Sequence, residues 1–250
     1  MSQDDKYTYP GSGGVPRNKR GLTDRDELDR AMNDYASAAW IAFSNSPPAI
    51  YDFAYLREIH TTIFGQLFDW AGQIRDVDTA AGTTGIVYAR PQYVDSALED
   101  MFGALSRDSY LQGIESPADF SNQLATHWGY LTQIHPFRDG NTRSQSLFVS
   151  NLARAAGHPI GWLSIDVDAL RVARLRAVQG GESALASLLH SAITGKDPVL
   201  VSAMPGFKLD STNSAGVAVT VTAGRCGKPR ANGNGYCLRR VGTNGCPYHG

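Results

Sequence analysis

The chain has 250 residues, 42% of them hydrophobic and 19% charged, with a formal net charge of -1. That is enough apolar material for one full domain and a small appendage, and the near-neutral balance gives no overall electrostatic pull toward nucleic acid or membrane. No apolar run of about 18 residues is present, so no transmembrane helix is expected, and the opening MSQDDKYTYPGSGG lacks the apolar stretch of a secretory signal. The expectation is a cytoplasmic protein that does not engage membranes.

Residues 1 to about 20 are rich in Gly, Pro and charge without periodicity, which predicts a flexible arm. A helix is then expected from Leu22-Thr23, capped by Thr23, with Asp24, Asp26 and Glu27 in its first turn where the dipole favours acids. Ser46, Pro47 and Pro48 end it. Tyr55 to Phe68 reads as a second helix, because Leu56, Ile59, Ile63, Phe64 and Leu67 recur at helical spacing. Residues 76 to 91, with Gly82, Gly85 and Pro91, predict a loop or short hairpin. Further helices are expected from Tyr93 to Leu105, from Pro117 to Ile134, from Asn141 to Ala156, and at 166–179 and 181–194. His135-Pro136 stops the fourth, since a residue before proline disfavours helix, and Gly157 ends the fifth. The domain, residues 21–200, is therefore all-α. Residues 201–224 are Ser-, Thr-, Gly- and Val-rich and read as a linker to a Gly-rich, basic tail at 225–250.

The chemistry is concentrated in the turn His135-Pro136-Phe137-Arg138-Asp139-Gly140-Asn141-Thr142-Arg143. A helix N-terminus offers unpaired amides and a positive partial charge to an anion. Gly140 permits close backbone approach to a phosphate. Asn141 offers a carboxamide, and Arg143 a guanidinium for a distal phosphate. Asp139 supplies a hard oxygen ligand of the kind Mg²⁺ uses beside phosphates. His135 faces the turn as a candidate general base, while Phe137 is expected in the core. Each residue also has a plain structural reading, as a helix stop, a turn former or a surface charge. One turn supplying base, metal ligand, anion cradle and clamp together favours function.

This segment resembles the Fic/Doc signature HxFx[D/E]GNGRxxR at His135, Phe137, Asp139, Gly140, Asn141 and Arg143. The similarity extends to Ile59–Gly72, to Thr83–Val94 and to Arg143–Trp162, and covers roughly residues 20–195. The resemblance implies a Fic-type helical domain with a short β-hairpin flap. It implies transfer of AMP from ATP, with Mg²⁺, to a Ser, Thr or Tyr hydroxyl of a target protein. His135 would be the base and Asp139 the Mg²⁺ ligand, with Arg138, Gly140, Asn141, Thr142 and Arg143 around the phosphates. The flap residues Thr84, Gly85, Ile86, Val87 and Tyr88 would dock the target segment by strand pairing, although Ile86-Val87-Tyr88 also reads as an ordinary buried hairpin. Other family members transfer UMP, phosphocholine or phosphate, so the resemblance alone does not fix the group. A role as a bacterial toxin or effector, restrained by a separate antitoxin-like inhibitor, belongs to the same expectation.

Two signature positions differ. Thr142 replaces glycine, adding a β-carbon beside the phosphate cradle. Ser146 replaces the final arginine, and loss of a charge-assisted contact costs about 1.5–3 kcal/mol. The family's inhibitory pattern [S/T]xxxE[G/N] is not matched at Thr23–Glu27, because Leu28 follows. The competing reading is a catalytically weakened domain that binds a nucleotide or protein.

Cys226, Cys237, Cys246 and His249 are spaced C-x10-C-x8-C-x2-H, a set able to complete a structural Zn²⁺ site. The alternative is a tail with free thiols. Arg225, Lys228, Arg230, Arg239 and Arg240 make the tail basic, so nucleic acid or an acidic partner is a second candidate ligand there. A merely solvated surface serves equally well.

Overall fold

The computed structural model describes residues 5–44, 47–82 and 84–193. The linker at 201–224 and the tail with Cys226, Cys237, Cys246 and His249 lie outside the described residues, as does Thr83. Among the described residues the α-helices are α1 (Arg25–Ser44), α2 (Phe53–Phe64), α3 (Val94–Arg107), α4 (Pro117–Ile134), α5 (Asn141–Ala155), α6 (Val167–Val178) and α7 (Ser183–Ala192). None of these is long and apolar enough to cross a membrane.

The helix boundaries follow local chemistry. The cap of α1 is Asp24 rather than Thr23, since its carboxylate accepts the Glu27 N–H at 2.9 Å. Asp52 caps α2 through the Tyr55 N–H at 2.8 Å, so this helix starts earlier than its apolar pattern suggests. It also stops earlier, at Phe64, and Leu67 and Phe68 are buried from the turn beyond it. Ser116 caps α4 and Pro117 occupies its first turn. Gly157, at φ +85°, closes α5 while the His158 N–H donates to the Ala153 carbonyl at 2.9 Å.

The core forms around α4, which packs against α3, α5, α6 and α7, while α2 joins α1 to α5. Trp128 of α4 is 1% exposed. Nearly all of α5 is buried although it carries many polar residues. Several of those residues are paired inward: Asn151 donates to the Tyr55 hydroxyl at 2.7 Å, and Gln145 to the Leu131 carbonyl at 3.2 Å. This burial fixes the N-terminus of α5 against the end of α4, which is where the signature turn lies.

Two expectations are corrected. Residues 5–22 do not form a free arm. Thr8 bridges antiparallel to Pro16, Val15 is buried, and the Lys19 N–H donates to the Leu67 carbonyl at 2.8 Å. Tyr7 packs edge-on against Trp70 and donates to Asp76 at 2.7 Å. A few aromatic and apolar side chains thus anchor a segment whose Gly and Pro content suggests freedom. The flap, second, contains no strand among the described residues. One antiparallel bridge joins Ala80 to Val87, with Ala81 N–H to Ile86 carbonyl at 2.9 Å and Tyr88 N–H to Thr79 carbonyl at 3.2 Å. Gly82 and Gly85 both take positive φ, and these turns leave too little extended chain for a ladder.

Candidate active site

The turn between α4 and α5 begins at His135, which takes the left-handed conformation at φ 47° and ψ 63°. Such a conformation is costly for a residue with a β-carbon, and the surroundings hold it. Arg75, 3% exposed, donates Nε to the His135 carbonyl at 2.7 Å and Nη2 to the Ile134 carbonyl at 3.1 Å. Its other N–H groups reach the Val77 and Ala89 carbonyls on the flap side. One buried guanidinium therefore ties the turn to the base of the flap.

A second clamp comes from His60 on α2. The Gly72 N–H donates to His60 Nδ1 at 2.9 Å, so Nε2 carries the proton and donates to the Asp139 carbonyl, also at 2.9 Å. Burial pushes this imidazole down to about 4 against the pull of Asp139. Its ring lies 3.8 Å from that of Phe137, which is fully buried as expected.

A cavity of about 420 Å³ opens beside the turn, lined among others by His135, Asp139, Thr142, Arg143, Tyr88 and Arg174. His135 Nδ1 is buried without a hydrogen-bond partner. Burial, then Arg174 and Arg75, push the imidazole down to about 3, with Asp139 opposing. It is therefore neutral at physiological pH, with a nitrogen lone pair available, and in this state it is a weaker base than an ordinary imidazole.

Asp139 lies near the N-terminus of α5. Burial alone would raise its pKa, but Arg25, Arg143, the Gly140 N–H and Arg138 outweigh it and hold the carboxyl below the usual range. Oδ1 accepts the Gly140 N–H at 2.6 Å and Oδ2 faces Arg25 at 3.3 Å. Arg143 donates Nε to Asn33 at 2.9 Å and pairs with Asp29 at 3.2 Å. The α1 face carrying Arg25, Asp29 and Asn33 thus already partners both residues. An ionised carboxylate at the cavity wall, with one oxygen held only at 3.3 Å, fits Mg²⁺, which uses one or two carboxylates plus phosphates and water.

Three of the residues expected at the phosphates also serve the protein's own packing and turn. Arg138 pairs with Asp5 at 2.6 Å and is held by the N-terminal segment. Asn141 is 1% exposed, accepting from the Phe137 N–H at 3.0 Å and donating to the Phe137 carbonyl at 2.7 Å, so its carboxamide closes the turn. Gly140, at φ +79°, is required by packing: a β-carbon there would lie 2.2 Å from Phe64 Cε2. Thr142, in contrast, is exposed to the cavity, and Ser146 is fully buried with its hydroxyl unpartnered. In the flap, Val87 is 62% exposed, while Tyr88 stacks on His135.

Sequence reasoning misses Arg75, His60 and Arg174. The available signal for the latter two is a polar residue on an apolar stripe. His60 lies among Leu56, Ile59 and Ile63, and Arg174 among Leu170, Ala173 and Ala177.

The profile of the Fic/DOC family matches residues 50–153. A probable protein adenylyltransferase, y4lH, of Sinorhizobium fredii is 30% identical over 191 residues, covering 76% of this chain and 96% of the relative. A protein adenylyltransferase of Bartonella henselae is 30% identical over 190 residues, and there the chain spans only 35% of the relative's length. The crystal structure of BepC from Bartonella tribocorum with bound AMPPNP superposes with a TM-score of 0.67 at 27% identity, covering 74% of this chain and 95% of that one. With a relative 30% identical over 76% of its length, the chain belongs to the Fic/DOC family.

Proposed function

We propose that this chain transfers the AMP moiety of ATP to a Ser, Thr or Tyr hydroxyl of a target protein. The carrying observation is that a neutral His135 and the N-terminal turn of α5 face the same cavity. The target oxygen bonds to the α-phosphorus, the bond to the bridging oxygen of the β-phosphate breaks, and pyrophosphate leaves. The hydroxyl proton passes to His135. Phosphoryl transfer depends on positioning and charge stabilisation, and the residues present suit both. The N–H groups opening α5 face developing negative charge, Arg143 offers a cation to the distal phosphates, and Asp139 would hold Mg²⁺. When bound, Mg²⁺ would neutralise phosphate charge. BepC, a structural neighbour, was solved with bound AMPPNP, which supports a nucleotide as this chain's ligand.

A second reading has its own observation. The Arg25–Asp139 and Asp29–Arg143 pairs already engage two of the groups that would hold the metal and phosphates. A weakened domain that binds its ligand without turnover is consistent with those pairs and with Ser146.

The test is the intact mass of the protein and of lysate proteins after incubation with Mg²⁺ and each of ATP, GTP, UTP and CTP. An AMP-sized gain that needs ATP and disappears in His135→Ala supports transfer. A gain specific to another nucleotide changes the group transferred. No gain in a folded protein that binds nucleotide favours the second reading.

A further inference from the structure

Arg174 of α6 is a buried guanidinium whose hydrogen-bond partners are all neutral. It is 4% exposed and lies with its cationic carbon 5.0 Å from the Trp128 ring centroid. Nε and Nη2 donate to Thr132 Oγ1 at 3.2 and 3.1 Å, and Nη2 also donates to Gln145 Oε1 at 2.6 Å. Nη1 donates to Thr142 Oγ1 at 3.1 Å. A guanidinium has five N–H groups, so these bonds leave one on Nη1, the nitrogen nearest the cavity-lining hydroxyl. Among the described residues Arg174 forms no ion pair; Asp139 and Asp29 are taken by Arg25 and Arg143.

A buried cation without a counter-charge is costly, and the adjacent cavity is where an anion can supply one. Thr142 strengthens the argument. Its oxygen accepts from Arg174, so its own proton is free to turn toward the cavity that the residue lines. A glycine at 142 would leave Nη1 without that partner.

We propose that Arg174, together with the Thr142 hydroxyl it polarises, binds a phosphate of the nucleotide and takes over the cationic contact that Ser146 lacks. Thr142 then positions the Arg174 guanidinium at the cavity wall. Burial lowers Arg174 to about 10, which leaves it cationic at neutral pH. This inference rests on the nucleotide-transfer reading of the site.

The test is calorimetric titration of the full chain with a non-hydrolysable ATP analogue plus Mg²⁺, and separately with adenosine. Arg174→Met should bind the analogue about 10- to 100-fold more weakly, the range for a lost charge-assisted hydrogen bond, with adenosine affinity unchanged. Thr142→Val, at an exposed position, should weaken the analogue in the same selective way and carries the test if Arg174→Met does not fold. Unchanged analogue affinity in a folded variant, or equal weakening for adenosine, would overturn the proposal and leave Arg174 as a packing residue. Wild-type protein that binds neither ligand would overturn the transfer reading as well, so the two failures are distinguishable.

Discussion

The Tyr88 ring lies flat on the His135 imidazole, with centroids 3.7 Å apart and planes 7° apart. The flap thus covers the proposed base, and this cover contributes to the burial that depresses His135 to about 3. Tyr88→Ala should move the His135 midpoint upward toward the ordinary value near 6.5, while Tyr88→Phe should leave it close to wild type. Titration of the imidazole C–H resonances by NMR measures this directly. Identical midpoints in wild type and Tyr88→Ala would show that the stack plays no part.

Two depressed imidazoles make stability depend on pH. The folded values are about 4 for His60 and about 3 for His135, both below the ordinary value of 6.5. Between those limits the unfolded chain binds protons that the folded chain does not, so stability rises with pH. The contribution is complete above about pH 6.5 and is lost as pH falls toward 4 and 3. Each such group sets a slope of up to about 1.4 kcal/mol per pH unit. Urea unfolding from pH 7 to 4 should show a shallower slope for His135→Ala than for wild type. Parallel slopes would contradict the buried, neutral state of His135.

Gly140→Ala should be strongly destabilising for a packing reason. Its β-carbon would meet Phe64 at 2.2 Å while adopting a left-handed φ of +79°. Overpacking and backbone strain together cost about 2–4 kcal/mol. Chemical denaturation should show that loss in protein without nucleotide. A stability change below about 0.5 kcal/mol, the range of a neutral surface substitution, would refute the contact with Phe64.

His60→Phe keeps an aromatic ring but strands the Gly72 N–H and the Asp139 carbonyl, both of which His60 satisfies at 2.9 Å. Unsatisfied buried groups cost about 1–3 kcal/mol each. The midpoint of urea unfolding should fall accordingly. A midpoint equal to wild type would mean that His60 serves packing alone.

Much of the frame is written in local patterns. Pro117 and Ser116 mark the start of α4, and His135-Pro136 marks its end. The apolar stripe of α2 is plain, but its limits depend on the Asp52 cap and on Leu67 and Phe68 being buried from a turn, which periodicity does not distinguish from helix. The turn residues are legible as a group, yet their partners are not. That Arg138 meets Asp5, or that Asn141 bonds Phe137 rather than facing the cavity, follows from chain segments meeting in space. Arg75 shows the same limit, since its partners are backbone carbonyls that any sequence carries.

The most direct measurement uses ATP labelled at the α-phosphate beside ATP labelled at the γ-phosphate, each with Mg²⁺ and lysate, for wild type and His135→Ala. The account predicts that α-label becomes covalently attached to protein, that γ-label does not, and that His135→Ala abolishes the attachment while remaining folded. Attachment of γ-label, or α-label retained at wild-type level in His135→Ala, would contradict nucleotide transfer with His135 as the base.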